Sequence, residues 1–202
     1  LLIAFRKLPL PPQTPAPANG GGRFGRLWAN KLYRYGVIAQ FFNVAAQTCA
    51  WTYTIIYAQD VVGFSPEAAG WWLQGSLLLF LVARFVMVFV LGVVRPALLL
   101  LIMAVFGVAC CLTSVFVLNI AGLIAVVLSL MFPTIYGLAL KGLGDDAKFG
   151  SAGLVMAILG GALIPMVQAR VMDVAGSAAG FIVPAVCLAF VCTYAAYDLF
   201  YT

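Results

Sequence analysis

The sequence predicts an all-α integral membrane protein with six transmembrane helices, and three observations lead to this. Of its 202 residues 65% are apolar, only 8% are charged and none is His, and the mean hydropathy is +1.11. A soluble domain carries roughly 25% charged residues, so this chain has too little polar surface to face water. A spanning helix needs about 20 apolar residues, and the sequence after residue 34 consists of six such runs with short connections.

Residues 1–34 differ from the rest of the chain. Residues 1–5 are apolar and suggest the end of a preceding helix, and the run LPLPPQTPAPANGGG follows soon after. Proline cannot continue a helix, and a Pro/Gly mixture is typical of linkers. The region carries six basic residues and no acidic one. We therefore predict that residues 1–34 are the tail of a helix plus a cytoplasmic linker, and that residues 35–202 form the transmembrane bundle.

The apolar runs are long enough for spans, and none alternates as the strands of a membrane barrel would. The predicted segments are 35–58, 70–94, 96–118, 120–141, 150–169 and 177–200.

The distribution of Lys and Arg predicts the orientation. With the linker in the cytoplasm, nine basic residues lie on the cytoplasmic side and one lies outside. We therefore expect a multi-pass protein of the plasma membrane with both termini in the cytoplasm. The net charge of +5 is scattered around the apolar runs, so we predict no nucleic-acid partner.

The first segment carries polar side chains on one helix face. Gln40, Asn43 and Gln47 are spaced i, i+3 and i+7, and Trp51 and Thr54 extend the same face. Amides donate and accept hydrogen bonds and an indole offers an apolar plate, a mixture that suits a sugar. The alternative is hydrogen bonding between helices, which also uses such residues.

Arg84 is an ionisable residue inside the second segment, 14 residues after Gly70 and ten before Val94. This spacing predicts a position near the middle of the membrane, where an isolated Arg costs at least about 2.5–3.5 kcal/mol. Arg84 must then face a wet cavity or pair with another group. No Asp or Glu of this chain lies at a matching depth, and both roles stay open.

Two further lining candidates are weaker. The second segment opens with GWWLQG, where the Trp pair fits an aromatic belt at the membrane interface and Gln74 lies one turn deeper. In the fourth segment, Ser129, Pro133 and Tyr136 share a face, and a helix broken by proline is tolerated where it borders a cavity.

Glycines and cysteines are predicted to serve packing. Gly150, Gly153, Gly160 and Gly161 in the fifth segment permit close helix approach. Five cysteines lie inside apolar runs without the spacing of a metal site or a disulfide framework, and we interpret them as small apolar residues: Cys49, Cys110, Cys111, Cys187 and Cys192.

The chain contains no catalytic motif that we can identify. Because it has no His and no carboxylate in the middle of a segment, acid–base catalysis has no evident agent. We predict that the protein is not an enzyme and that it uses no cofactor and no metal.

The segments FPTIYGLALKGLG, GSAGLVMAILGGALIP and QFFNVAAQTCAWTYTIIYAQD resemble the C-terminal half of the major facilitator superfamily, and within it the fucose permease and glucose–galactose porter family. The resemblance implies two six-helix bundles around a central cavity, each built from two inverted three-helix repeats. The partner would be the N-terminal half of the same transporter. Members of this family import monosaccharides with protons by alternating access, and their proton-coupling carboxylates lie in the N-terminal half.

The sequence thus favours a monosaccharide:proton symporter in the lipid bilayer, present here as a C-terminal fragment. The residues predicted to line its substrate cavity are Gln40, Asn43, Gln47, Trp51, Gln74, Tyr136 and Arg84. One alternative is a related carrier of a drug or an organic acid, for which Arg84 would be the counter-charge. Another is a six-span protein that does not transport and is complete as it stands, although a chain that starts at Leu1 within an apolar run suggests an incomplete sequence.

Overall fold

The computed structural model of the chain describes residues 20–91, 93–116, 131, 134–141, 143 and 146–201. Within these residues the chain is helical and contains no strand, which confirms the predicted all-α class. The helices are α1 (Gly20–Ala29), α2 (Lys31–Asp60), α3 (Pro66–Leu91), α4 (Pro96–Phe116), α5 (Ala147–Met156), α6 (Gly160–Ala175) and α7 (Ile182–Tyr201). Short 3-10 turns at Ala157–Leu159 and Ala179–Phe181 precede α6 and α7.

Four stretches of these helices are long and apolar enough to cross a membrane: Pro66–Val86, Pro96–Val115, Phe149–Ala175 and Ala179–Phe200. Helix α2 has 30 residues, so at 1.5 Å per residue it is also long enough, although its amides and tyrosines make it less apolar. Five of the six predicted segments therefore correspond to described helices. The remaining segment, 120–141, lies mostly outside the described residues, as do Ser129 and Pro133.

The helix boundaries differ from the prediction at the start of the bundle. Helix α2 begins at Lys31, because the Asn30 side-chain oxygen caps it by accepting hydrogen bonds from the backbone N–H groups of Leu32 (3.0 Å) and Tyr33 (3.3 Å). The end of the predicted linker is helical as well. Helix α1 docks there through Leu27, which is buried, and the Arg26 side chain lies 3.5 Å from the carboxylate of Asp146.

Helix α3 begins four residues earlier than predicted, at Pro66, a residue that suits the first turn of a helix. The Ser65 hydroxyl oxygen accepts a hydrogen bond from the Ala68 N–H at 3.3 Å, which caps this end. Arg84 therefore lies seven residues before the end of α3 at Leu91, or about 10 Å along the axis. Arg84 is thus nearer to one end of its helix than it is in the predicted segment 70–94, from which the position near the middle of the membrane was inferred.

Helix α2 is the centre of the bundle and packs against α3, α6 and α7, while α4 packs against α7. Small residues make this packing possible. A side chain at Gly160 would collide with the backbone carbonyl of Phe41, and one at Gly161 would come within 2.6 Å of the Thr48 hydroxyl. The predicted role of these glycines in close helix approach is confirmed.

The cysteine prediction is confirmed too. All five cysteines are free thiols, and four of them are buried among apolar neighbours.

Candidate functional site

Two amides of α2 are the most unusual groups in the described interior. The side chains of Gln40 and Asn43 are both 0% exposed, and no described group forms a hydrogen bond with any of their amide oxygen or nitrogen atoms. A buried polar group without a partner costs about 1–3 kcal/mol. In folded proteins such groups are usually satisfied by ordered water, a ligand or another polypeptide segment.

The local sequence explains how these amides come to be buried. They lie on one face of α2, where the small residues Ala39 and Ala46, four and three positions from Asn43, let the adjacent helices approach closely. Gln47, two turns after Gln40 on the same face, is only half-buried. The amide face is thus closed at Gln40 and opens towards Gln47.

Trp51 and Phe80 connect this face to α3. Their rings contact edge to face, with centroids 5.2 Å apart and planes at 81°. The Trp51 ring nitrogen is buried and forms no hydrogen bond within the described part of the chain. The guanidinium carbon of Arg84 lies 6.0 Å from the Phe80 ring centroid, near the outer limit of a cation–π contact. Trp51, Phe80 and Arg84 therefore form one continuous row.

The remaining predicted residues do not join this row. Gln74 is exposed on α3, ten residues and about 15 Å along the helix from Arg84. Tyr136 is half-buried and packs against a second apolar cluster that includes Leu27 and Leu154. Thr54, at the end of the amide face, donates its hydroxyl hydrogen to the carbonyl oxygen of Ala50, so its donor is used within the helix.

Gln168 is a buried amide that the sequence analysis missed. It is 0% exposed, and neither atom of its amide has a hydrogen-bond partner among the described residues. The predicted fifth segment ended at residue 169, which made Gln168 look like a terminal residue. Helix α6 continues to Ala175 and Gln168 packs near Gly180, so this amide lies inside the bundle. A polar residue within an apolar run was the only sequence signal for it.

The charged groups constrain the chemistry. Every described carboxylate lies within about one helical turn of a helix end, namely Asp60, Glu67, Asp146, Asp173 and Asp198. Within the described ranges, no group of three or more His, Cys, Asp or Glu residues is placed to hold a metal ion. The site therefore offers neutral hydrogen-bonding groups, an aromatic plate and one guanidinium.

Membrane-length helices that enclose unpartnered amides beside an aromatic row define an integral membrane protein with a polar interior. The chain is 34% identical over 206 residues to the L-fucose-proton symporter of Escherichia coli, covering 96% of this chain and 47% of that protein. It is 36% identical over 180 residues to the L-fucose-proton symporter of Haemophilus influenzae, covering 84% of this chain and 42% of that protein. A 66-residue part is 44% identical to a glucose/galactose transporter of Brucella abortus, covering 33% of this chain and 16% of that protein.

Solved structures agree with these relatives. The chain matches a crystal structure of the E. coli fucose:proton symporter FucP with a TM-score of 0.85 and 32% identity, over 89% of this chain and 46% of that one. It matches a second structure, of the major facilitator superfamily transporter FucP in the outward conformation, with a TM-score of 0.87 and 30% identity. This match covers 98% of this chain and 50% of that chain. No protein-family model matches the chain.

The chain therefore belongs to the major facilitator superfamily and is homologous to the L-fucose-proton symporters, as the resemblance predicted. It spans about half the length of the curated relatives it matches, which is consistent with a C-terminal half.

Proposed function

We propose that this chain is the C-terminal half of a monosaccharide:proton symporter that works by alternating access. The observation that carries this proposal is the pair of buried, unpartnered amides at Gln40 and Asn43. Relatives named as an L-fucose-proton symporter and a glucose/galactose transporter support a fucose-, glucose- or galactose-like substrate. In this proposal, residues 1–34 connect the bundle of residues 35–202 to the N-terminal half in the plasma membrane, with both termini cytoplasmic.

The proposed substrate chemistry follows from the residue types. The amides of Gln40, Asn43 and Gln47 can each donate to and accept from sugar hydroxyls. Trp51 presents an apolar ring for the C–H face of a pyranose, and its buried N–H supplies one more donor. Arg84 lines the cavity beside Trp51 and Phe80, and Gln74 and Tyr136 line it further from this centre. In this proposal the N-terminal half completes the site between them.

Proton coupling is proposed to reside in the N-terminal half. A coupling group needs a carboxylate that reaches the middle of the membrane, and every described carboxylate of this chain lies near a helix end. In this proposal the C-terminal half supplies the sugar-binding amides and the N-terminal half supplies the proton site.

Uptake of labelled L-fucose, D-galactose and D-glucose by the full-length transporter tests the proposal. We expect uptake of at least one sugar to be abolished by a protonophore. The double variant Asn43→Ala/Gln47→Ala should reduce kcat/KM by at least about tenfold, because two hydrogen bonds of about 1 kcal/mol each are lost. Gln59→Ala is the matched control, since Gln59 is an α2 amide at the end of the helix. Normal uptake by the double variant would refute the assignment of the amide face.

Arg84 favours one second candidate, a carrier of organic anions. It is exposed, and no described carboxylate lies within ion-pair distance of it. In a carrier of an organic acid the guanidinium would bind the substrate carboxylate in a two-point contact that Lys cannot reproduce. Arg84→Lys should then abolish uptake of an anion such as labelled lactate while expression persists. If the wild-type protein takes up sugar but no organic anion, this candidate is excluded.

A further inference from the structure

The side of α2 opposite the amide face carries a cavity of about 390 Å³ between α2 and α7. Ile38 and Ala39 line it from α2, and Phe190, Thr193 and Tyr194 line it from α7. Ile38 precedes Gln47 by nine residues, which is two and a half helical turns, so the two side chains project from opposite sides of α2. The cavity therefore opens away from the proposed sugar site, on the outer surface of the bundle.

A second apolar hollow of about 390 Å³ lies on the other side of Ile38. Phe41 and Phe42 line it from α2, and Met156 lines it from α5. Both hollows thus share Ile38, whose side chain is 40% exposed between them. In a bundle of membrane-spanning helices, an exposed apolar surface of this kind is covered by lipid chains or by another helix.

Basic residues lie on the same side of α2, nearer to its first residue. Lys31 and Arg34 precede Ile38 by seven and four residues, so all three lie on one stripe of the helix. Lys31 is exposed, and the Arg34 guanidinium carbon stands 5.4 Å from the centroid of Tyr35, which lines the first cavity. Asp198, on the adjacent helix α7, is 5% exposed, so its carboxylate lies inside the bundle beside this surface.

An aromatic pair marks the level where the apolar hollow meets the basic residues. The rings of Tyr35 and Tyr197 contact edge to face at a centroid distance of 5.3 Å, and both line the cavity. Tyrosine is enriched where hydrocarbon gives way to lipid headgroups. Apolar hollows, an aromatic level and then cations occur in the same order as acyl chains, ester region and phosphate in an anionic phospholipid.

We propose that this surface is a binding site for one anionic two-chain phospholipid. One acyl chain lies in each hollow beside Ile38, and the phosphate lies at Lys31 and Arg34. The site lies on the opposite side of α2 from the proposed sugar site and does not depend on it.

Thermal unfolding of the purified full-length protein in detergent, titrated with lipid, tests the site. We expect palmitoyl-oleoyl phosphatidylglycerol to raise the unfolding temperature at lower concentration than palmitoyl-oleoyl phosphatidylcholine. Lys31→Gln and Arg34→Gln should each weaken the phosphatidylglycerol response about fivefold, because one cation near a lipid headgroup contributes about 1 kcal/mol. Arg95→Gln is the matched control, a cation on the same membrane side but outside the hollows. An equal loss in Arg95→Gln would overturn the site in favour of general surface charge.

The hollows are tested separately. Thr193→Trp should fill the first hollow and abolish the lipid response, and Ile38→Trp provides a second filling variant from the opposite helix. Thr113→Trp is the control, because Thr113 forms the same kind of hydroxyl bond to its own helix on α4. A response that persists in both filling variants overturns the proposal.

Two other ligands test the identity of the occupant. Stabilisation by glycerol phosphate alone would identify a small-anion site instead, and equal potency of lysophosphatidylglycerol would overturn the two-chain arrangement.

Discussion

Helices α2 and α3 show opposite relations between polarity and burial. Helix α3 is the more apolar of the two, yet its large side chains are exposed, with Phe85 at 66% and Phe89 at 79%. Helix α2 carries four amides, and two of them, Gln40 and Asn43, are completely buried. In water the apolar helix would be the core. In a bilayer the apolar helix faces lipid or the partner half, and polar side chains mark the interior.

The largest expected effect is at a close backbone contact between α6 and α2. Gly160→Ala places a methyl group against the Phe41 carbonyl, so we expect at least about 2 kcal/mol loss of unfolding free energy. Gly75→Ala is the matched change on α3, where nothing lies within 4 Å of the added carbon. It should be neutral or stabilising by up to about 1 kcal/mol, because alanine favours a helix. Unfolding in detergent measures both, and equal effects would contradict the contrast between the two helices.

An intermediate effect on stability is expected at the buried amide of Gln40. Gln40→Met keeps the side-chain volume but removes polar atoms that have no described partner, so stability should stay unchanged or rise by about 1–3 kcal/mol. Sugar uptake should fall at least about tenfold, because the amide is proposed to bind substrate. Gln74→Met on the exposed surface of α3 should leave stability unchanged. A clear loss of stability in Gln40→Met would show that the amide serves packing.

The smallest effect on stability is expected at Arg84. Since its side chain is exposed in this chain, Arg84→Gln should change the unfolding free energy by less than about 0.5 kcal/mol. Circular dichroism during thermal unfolding measures this. A loss of several kcal/mol would instead indicate the structural pairing role that the sequence left open.

Much of the helical framework was predictable because each span needs a long apolar run, and such runs are visible in the sequence. The ends were less predictable, since they depend on local caps. Asn30 extends α2 back to Lys31, and Ser65 with Pro66 starts α3 before the apolar run begins. The start at Pro66 and the end at Leu91 together place Arg84 nearer to one end of its helix than the predicted segment did.

The candidate site was predictable only in part. The spacing of Gln40, Asn43 and Gln47 placed them on one face, which the helix geometry requires. Spacing within one helix does not indicate which neighbour covers that face. For this reason the contact of Trp51 with Phe80, the separate position of Tyr136 and the burial of Gln168 were beyond the sequence analysis.

By itself, the sequence determined that this is a membrane-spanning all-α protein, that one face of its first span is polar and that its cations, except Arg84, flank the spans. These properties follow from local composition and helical period. Only the tertiary structure decided which amides lose all contact with solvent, that α1 docks on the bundle through Leu27, and that two hollows flank Ile38. Burial and cavities depend on which helices pass one another and at what distance, and that is a property of contacts between residues far apart in the chain.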